Sequence, residues 1–152
     1  MSPLFKKLNL KDQTDIVVLN APESFESELQ TLENVTVHRS VSAVKAIDFS
    51  LAFVTKQKQV DTLATSIAKK AKGDAVVWFA YPKTTAPRYK CEFNRDTGWG
   101  ELGKQGFEPV RQVAIDMDWS ALRFRRVEFI KTMIRSEKMA MTKAGKKRTA
   151  GK

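Results

Sequence analysis

Three short, predominantly apolar runs, at positions 15–21 (DIVVLNA), 49–54 (FSLAFV) and 74–81 (DAVVWFAY), most narrowly limit what this chain can become. Each is too short for a core helix and is enriched in β-branched or aromatic residues. The first ends in Asn20-Ala21-Pro22 and the third at Pro82, which are turn signals. A strand that is apolar on consecutive positions is covered on both faces. That is the condition of a central strand in a parallel sheet flanked by helices.

The segments between these runs supply the helices and the outer strands. Pro22 suits a first helical turn, Glu23 complements a helix N-terminus, and Phe25, Leu29 and Leu32 follow at helical spacing, predicting a helix of about three turns. Residues 35–41 (VTVHRSV) alternate apolar with polar and predict a half-exposed strand. After Lys56, one helix face carries Val60, Leu63, Ala64, Ile67, Ala68 and Ala71, with Gly73 as the expected stop. Residues 84–93 read as a loop. Asn94 is placed to cap a short helix through Trp99 and Leu102, although Gly98, Gly100, Gly103 and Gly106 oppose it. Two further strand-like runs, 111–117 and 122–129, joined by residues 118–121, predict an antiparallel hairpin.

Strands alternating with helices imply right-handed crossovers. The expected fold is therefore α/β: a Rossmann-like, open, mainly parallel sheet of about six strands in the order 2-1-3-4-6-5, with helices on both faces and a C-terminal antiparallel hairpin. A length of 152 residues with 42% apolar and 29% charged residues suits one globular core. A single domain is expected over residues 1–130 and a basic, flexible tail over 131–152. The formal charge of +10 divides unevenly, since residues 131–152 carry eight positive side chains against Glu137 alone. The domain is thus nearly balanced and the basicity belongs to the tail.

No apolar run approaches the roughly 18 residues needed to cross a bilayer, and the start lacks an apolar signal core, so a cytoplasmic location is expected. With Cys91 and His38 as its only cysteine and histidine, the chain has no internal disulfide and none of the usual zinc-ligand spacings. His38 lies on the polar side of an alternating strand and reads as a surface residue. Cys91 stands between Lys90 and Glu92, whose opposite influences leave no sign of a reactive thiol.

Ligands in open α/β sheets settle at the carboxyl ends of the strands. Asn20, Glu23, Lys83, Asp116 and Asp118 all fall near that edge, beside Tyr81 and Trp119, and together suit a small polar ligand. Each also has a local role open to it: Asn20 and Glu23 in a turn and a helix start, Lys83 as a solvated amine, Asp118-Trp119-Ser120 as a hairpin turn. In the tail, Lys143, Lys146, Lys147, Arg148 and Lys152 have the composition of segments that contact nucleic-acid phosphates, without the interleaved aromatics that stack on bases.

Residues 6–10 (KKLNL) leading into 18–23 (VLNAPE), with 80–83 (AYPK) and 114–124 (AIDMDWSALRF), resemble the bacterial family known as domain of unknown function 3052. The similarity spans roughly residues 4 to 126 and implies a fold without an activity. The order of elements also resembles a shortened S-adenosylmethionine-dependent methyltransferase. Such enzymes place a glycine loop after strand one and an acidic residue at the end of strand two. Here those places hold Asn20-Ala21-Pro22-Glu23 and Arg39-Ser40, so the usual glycine loop for that cofactor is absent and no cofactor is assigned. The resulting expectation is a non-catalytic module that binds a small polar ligand or a protein partner at its carboxyl edge. A nucleic-acid accessory protein acting through the tail is the alternative, and a methyltransferase-like enzyme ranks last.

Overall fold

The computed structural model describes residues 2–86 and 89–130. The candidate nucleic-acid residues Lys143, Lys146, Lys147, Arg148 and Lys152, and the expected tail, lie outside the described residues. The elements in chain order are α1 (Pro3–Lys7), β1 (Asp15–Leu19), α2 (Glu26–Leu29), β2 (Thr36–His38), β3 (Ile47–Phe53), α3 (Gln57–Lys70), β4 (Ala71–Pro82), α4 (Gly100–Lys104), β5 (Phe107–Ala114) and β6 (Trp119–Arg126). They build a six-stranded sheet in the order β2-β1-β3-β4-β6-β5, as expected. The first four strands run parallel, and β6 pairs antiparallel with both β4 and β5.

Residues alternate between the faces of a strand, and this sorts the core into two layers. On one face Val17, Val77, Phe79, Tyr81, Leu122 and Phe124 pack with α3 and α4 through Val60, Ala64, Ile67 and Leu102. On the other, Ile16, Val18, Leu51, Trp78 and Trp119 pack with Phe5, Phe25 and Leu29 from α1, a 3-10 turn and α2. Full burial of a side chain such as Ile67, at 1% exposure, is worth about 1.5–3 kcal/mol. α1 escapes the apolar pattern because it is only five residues long. Ser2 accepts from the Phe5 N–H to cap it, Pro3 opens it, and the Leu8 carbonyl beyond it accepts from the buried Trp78 indole N–H at 2.8 Å.

Several boundaries differ from the sequence expectation; β2 stops at His38 and not at Val41, and β5 begins at Phe107 and not at Arg111. The helix expected after Pro22 is a 3-10 turn, Glu23–Phe25, and the four-residue α2. α3 stops at Lys70 without a glycine cap, because Ala71 is already extended and begins β4. Gly73, expected as the stop, lies inside β4 at φ +51°, where the pairing with β3 shifts register between Ile47 and Phe49. Asn94 does not cap α4; its side chain accepts from the Asp96 and Thr97 N–H groups and forms a turn of its own. The last hairpin turns three residues earlier than expected, over residues 115–118. Asp116 Oδ1 accepts from the N–H groups of Asp118 and Trp119, both at 2.8 Å, so Trp119 and Ser120 belong to β6 and not to the turn.

Candidate functional site

The carboxyl ends of β1, β3 and β4 meet the start of β6 at one edge of the sheet, where Pro82 is opposite Trp119. β1 ends at Asn20, which takes the left-handed backbone conformation, φ 58°, and turns the chain without glycine. Its side-chain amide reaches the Phe53 carbonyl at 3.4 Å. Pro22 follows, and Glu23 opens the 3-10 turn with its side chain exposed. From β3, Phe53 presents its ring to Trp119, centroids 5.1 Å apart and nearly perpendicular. Tyr89 returns from the loop after β4 and lies against the same indole at 4.8 Å.

These residues, with Thr55 and Gln59, line a cleft of about 390 Å³. Trp119 is only 4% exposed, and its indole N–H has no hydrogen-bond partner among the described residues. A buried donor left unpaired costs about 1–3 kcal/mol unless a ligand or water accepts from it. Among the described residues the cleft is therefore aromatic on one side, carries the Glu23 carboxylate at its rim, and is lined by the indole whose buried N–H is unpaired. At the N-terminus of α3 beside it, side chains already occupy backbone donors. Gln59 Oε1 accepts from Thr55 and Lys56 N–H, and Glu92 Oε1 accepts from Gln57 N–H.

The sequence candidates divide between two places. Asn20, Glu23 and Trp119 share the cleft. Lys83 does not; it lines a second cleft of about 320 Å³ with Tyr81, Thr84, Asn94, Arg95 and Asp96. The side chain of Asp116 is used in the hairpin turn, and the carbonyl of Asp118 accepts from the Lys83 N–H at 2.7 Å. Neither aspartate lines the cleft of Trp119. Phe53, Thr55, Gln59 and Tyr89 had not been singled out. Phe53 and Thr55 are foreshadowed by the end of an apolar run, whereas Tyr89 sits in a loop with no periodicity to place it.

At the end of β2, where a ribose-binding carboxylate would stand, Arg39 donates two hydrogen bonds of 2.8 Å to Glu26. This fork draws the Glu26 carboxyl below its usual range and raises the guanidinium of Arg39. His38 Nε2 lies 2.9 Å from Asp15 Oδ1. Burial pushes the Cys91 thiol up, which disfavours its thiolate. No helix among the described residues is long and apolar enough to cross a membrane.

No family model and no curated protein matches this sequence, so the likeness to domain of unknown function 3052 rests on the residues quoted for it. Solved structures do match. The chain is similar to a SAM-dependent methyltransferase from Aquifex aeolicus, with a TM-score of 0.54 and 14% identity over 82% of this chain and 88% of that one. It is similar to the N-methyltransferase NodS from Bradyrhizobium japonicum WM9, with a TM-score of 0.52 and 12% identity over 81% of this chain and 92% of that one. TrmN from Thermus thermophilus matches at a TM-score of 0.52 and 8% identity, over 82% of this chain and 47% of that one.

At such identities the likeness is one of fold, and it establishes a Rossmann-like methyltransferase fold. It also corrects the functional ranking drawn from the sequence. The non-catalytic module was preferred on the polar cluster at the carboxyl edge and the missing glycine loop, and the nucleic-acid accessory on the charge of residues 131–152, each ahead of a methyltransferase-like enzyme. The neighbours overturn that order. The physical reason is local: Asn20 at φ 58° makes the turn that glycine was expected to make, so a missing glycine does not mean a missing turn.

Proposed function

We propose that this chain has a methyltransferase-like function exercised in the carboxyl-edge cleft, and that the cleft takes an adenosyl sulfonium or thioether compound on contacts of its own. The customary anchors do not fit. Asn20-Ala21-Pro22 stands where a glycine backbone would approach the ligand, Pro22 has no N–H to offer, and the end of β2 is closed by the Arg39–Glu26 pair. The cleft supplies other chemistry. Tyr89, half-buried against Trp119, offers a ring to a flat base, and Glu23 with the aromatic faces suits a sulfonium cation.

The observation that carries this reading is the unpaired indole N–H of Trp119 in an aromatic cleft at the ligand edge of a methyltransferase fold. An acceptor atom of a bound nucleoside would satisfy it. Calorimetric titration of the full chain with S-adenosylmethionine and S-adenosylhomocysteine tests the proposal. Saturable binding is expected, weakened about tenfold by Trp119→Phe, which removes the donor and keeps a ring. Glu23→Gln should weaken the cationic compound more than the neutral thioether. Absence of heat and of thermal stabilisation with both compounds at concentrations on the order of millimolar would reject it.

A further inference from the structure

A second site lies on the same face of the sheet as Trp119, farther along the hairpin. Trp119, Ala121, Arg123 and Arg125 alternate onto this face, so Arg123 is four residues from Trp119, or about 13 Å along β6. Arg123 has Trp78 of β4 opposite it on one side and Arg111 of β5 on the other. The row from the sheet centre outward therefore runs from a fully buried tryptophan to a half-buried arginine and then to an exposed one. Directly opposed like charges destabilise a strand pair, and nothing in the core requires two of them here.

The carboxylate that would neutralise this pair is committed elsewhere. Asp74 accepts from Arg125 through both oxygens, at 2.8 Å to Nε and 2.6 Å to a terminal nitrogen. Among the described residues neither Arg111 nor Arg123 forms an ion pair, and the Nε of Arg123 is buried without a hydrogen-bond partner. Burial, together with the nearby positive charges of Arg125 and Arg111, pulls the Arg123 guanidinium below its usual value against the opposing pull of Asp74. β5 is the outermost strand, so the pair is accessible from its edge.

We infer that Arg111 and Arg123 form a binding site for a phosphate-type dianion, distinct from the aromatic cleft. Two adjacent planar forks match the charge and the oxygen geometry of a phosphate, and a bound dianion would turn the repulsive pair into a bridged one. A second cation from lysine would not give the same bidentate recognition.

The test is thermal denaturation of the full chain and of Arg111→Gln and Arg123→Gln, in chloride and in inorganic phosphate or glycerol phosphate at equal ionic strength. General salt effects act alike on all three proteins, so the difference isolates the site. In chloride, Arg111→Gln is expected to be at least as stable as the parent, because the cross-strand repulsion is relieved. In phosphate the parent should gain more than either variant, and the dissociation constant should rise about tenfold or more in the variants. A larger gain with glycerol phosphate than with inorganic phosphate assigns the site to phosphate esters, and equal gains assign it to the free anion. Equal phosphate gains in parent and variants would overturn the site. Arg111 is exposed, so its variant keeps the test decisive even if Arg123→Gln fails to fold.

Discussion

Asn20 does at the end of β1 what a glycine does elsewhere, and its side chain determines how well. A left-handed backbone costs an ordinary residue about 1 kcal/mol, less for asparagine and nothing for glycine. Asn20→Ala should therefore lower stability by about 1 kcal/mol in urea denaturation, whereas Asn20→Gly should leave it within about 0.5 kcal/mol, losing only the long 3.4 Å bond to the Phe53 carbonyl. If both variants fell equally, the side-chain bond and not the backbone would be holding the turn. A second residue-level prediction concerns pH. The hydrogen bond from His38 holds the Asp15 carboxyl below its usual 3.8, against the opposing effect of desolvation. A carboxyl lowered by folding contributes stability that is present above its unfolded value and is lost as pH falls through the folded one. His38→Ala should return the Asp15 midpoint toward 3.8 in an NMR titration, and should remove that contribution at pH values above about 4, so that the variant loses less stability than the parent on further acidification.

At the level of elements, legibility followed the strength of the periodic signal. β1, β3, β4 and α3 were readable because an apolar run or a helical stripe several turns long has few alternatives. α1 and α2 carry five and four residues, too few to show a period, whereas the alternation over residues 35–41 disclosed β2 and overran its three residues. Lys83, grouped with Asn20 and Glu23 at the carboxyl edge, lines a cleft of its own beside Tyr81, the residue with which it shares parity on the α3 face. Asn20 shares parity with Val18 on the opposite face, which also holds Trp119. The glycines before α4 illustrate what local propensity leaves out. Gly98, at φ +96°, would set an added Cβ 2.5 Å from that of Phe93, while Gly100 has open space around it. Gly98→Ala should cost about 2 kcal/mol or more, and Gly100→Ala should be neutral or stabilise by up to about 1 kcal/mol, both read from denaturation midpoints.

At the level of the whole molecule, charge and core are separated along the chain. Both core layers and all five strand pairings are made by residues between Phe5 and Ile130, while residues 131–152 hold seven of the ten net positive charges. Every residue lining the aromatic cleft lies between Asn20 and Trp119, and the arginine pair is complete at Arg123. A chain ended after Ile130 should therefore keep cooperative unfolding with an unchanged denaturant slope, and a stability within about 1 kcal/mol of the full chain, or about 4 °C in midpoint. Its affinity for an adenosyl thioether should be unchanged, because it keeps every residue named as lining the cleft. A smaller slope or a broadened transition would mean that residues beyond Ile130 belong to the folded unit. Loss of ligand binding with an intact transition would instead place part of the site there, and the cleft of Trp119 would no longer be sufficient.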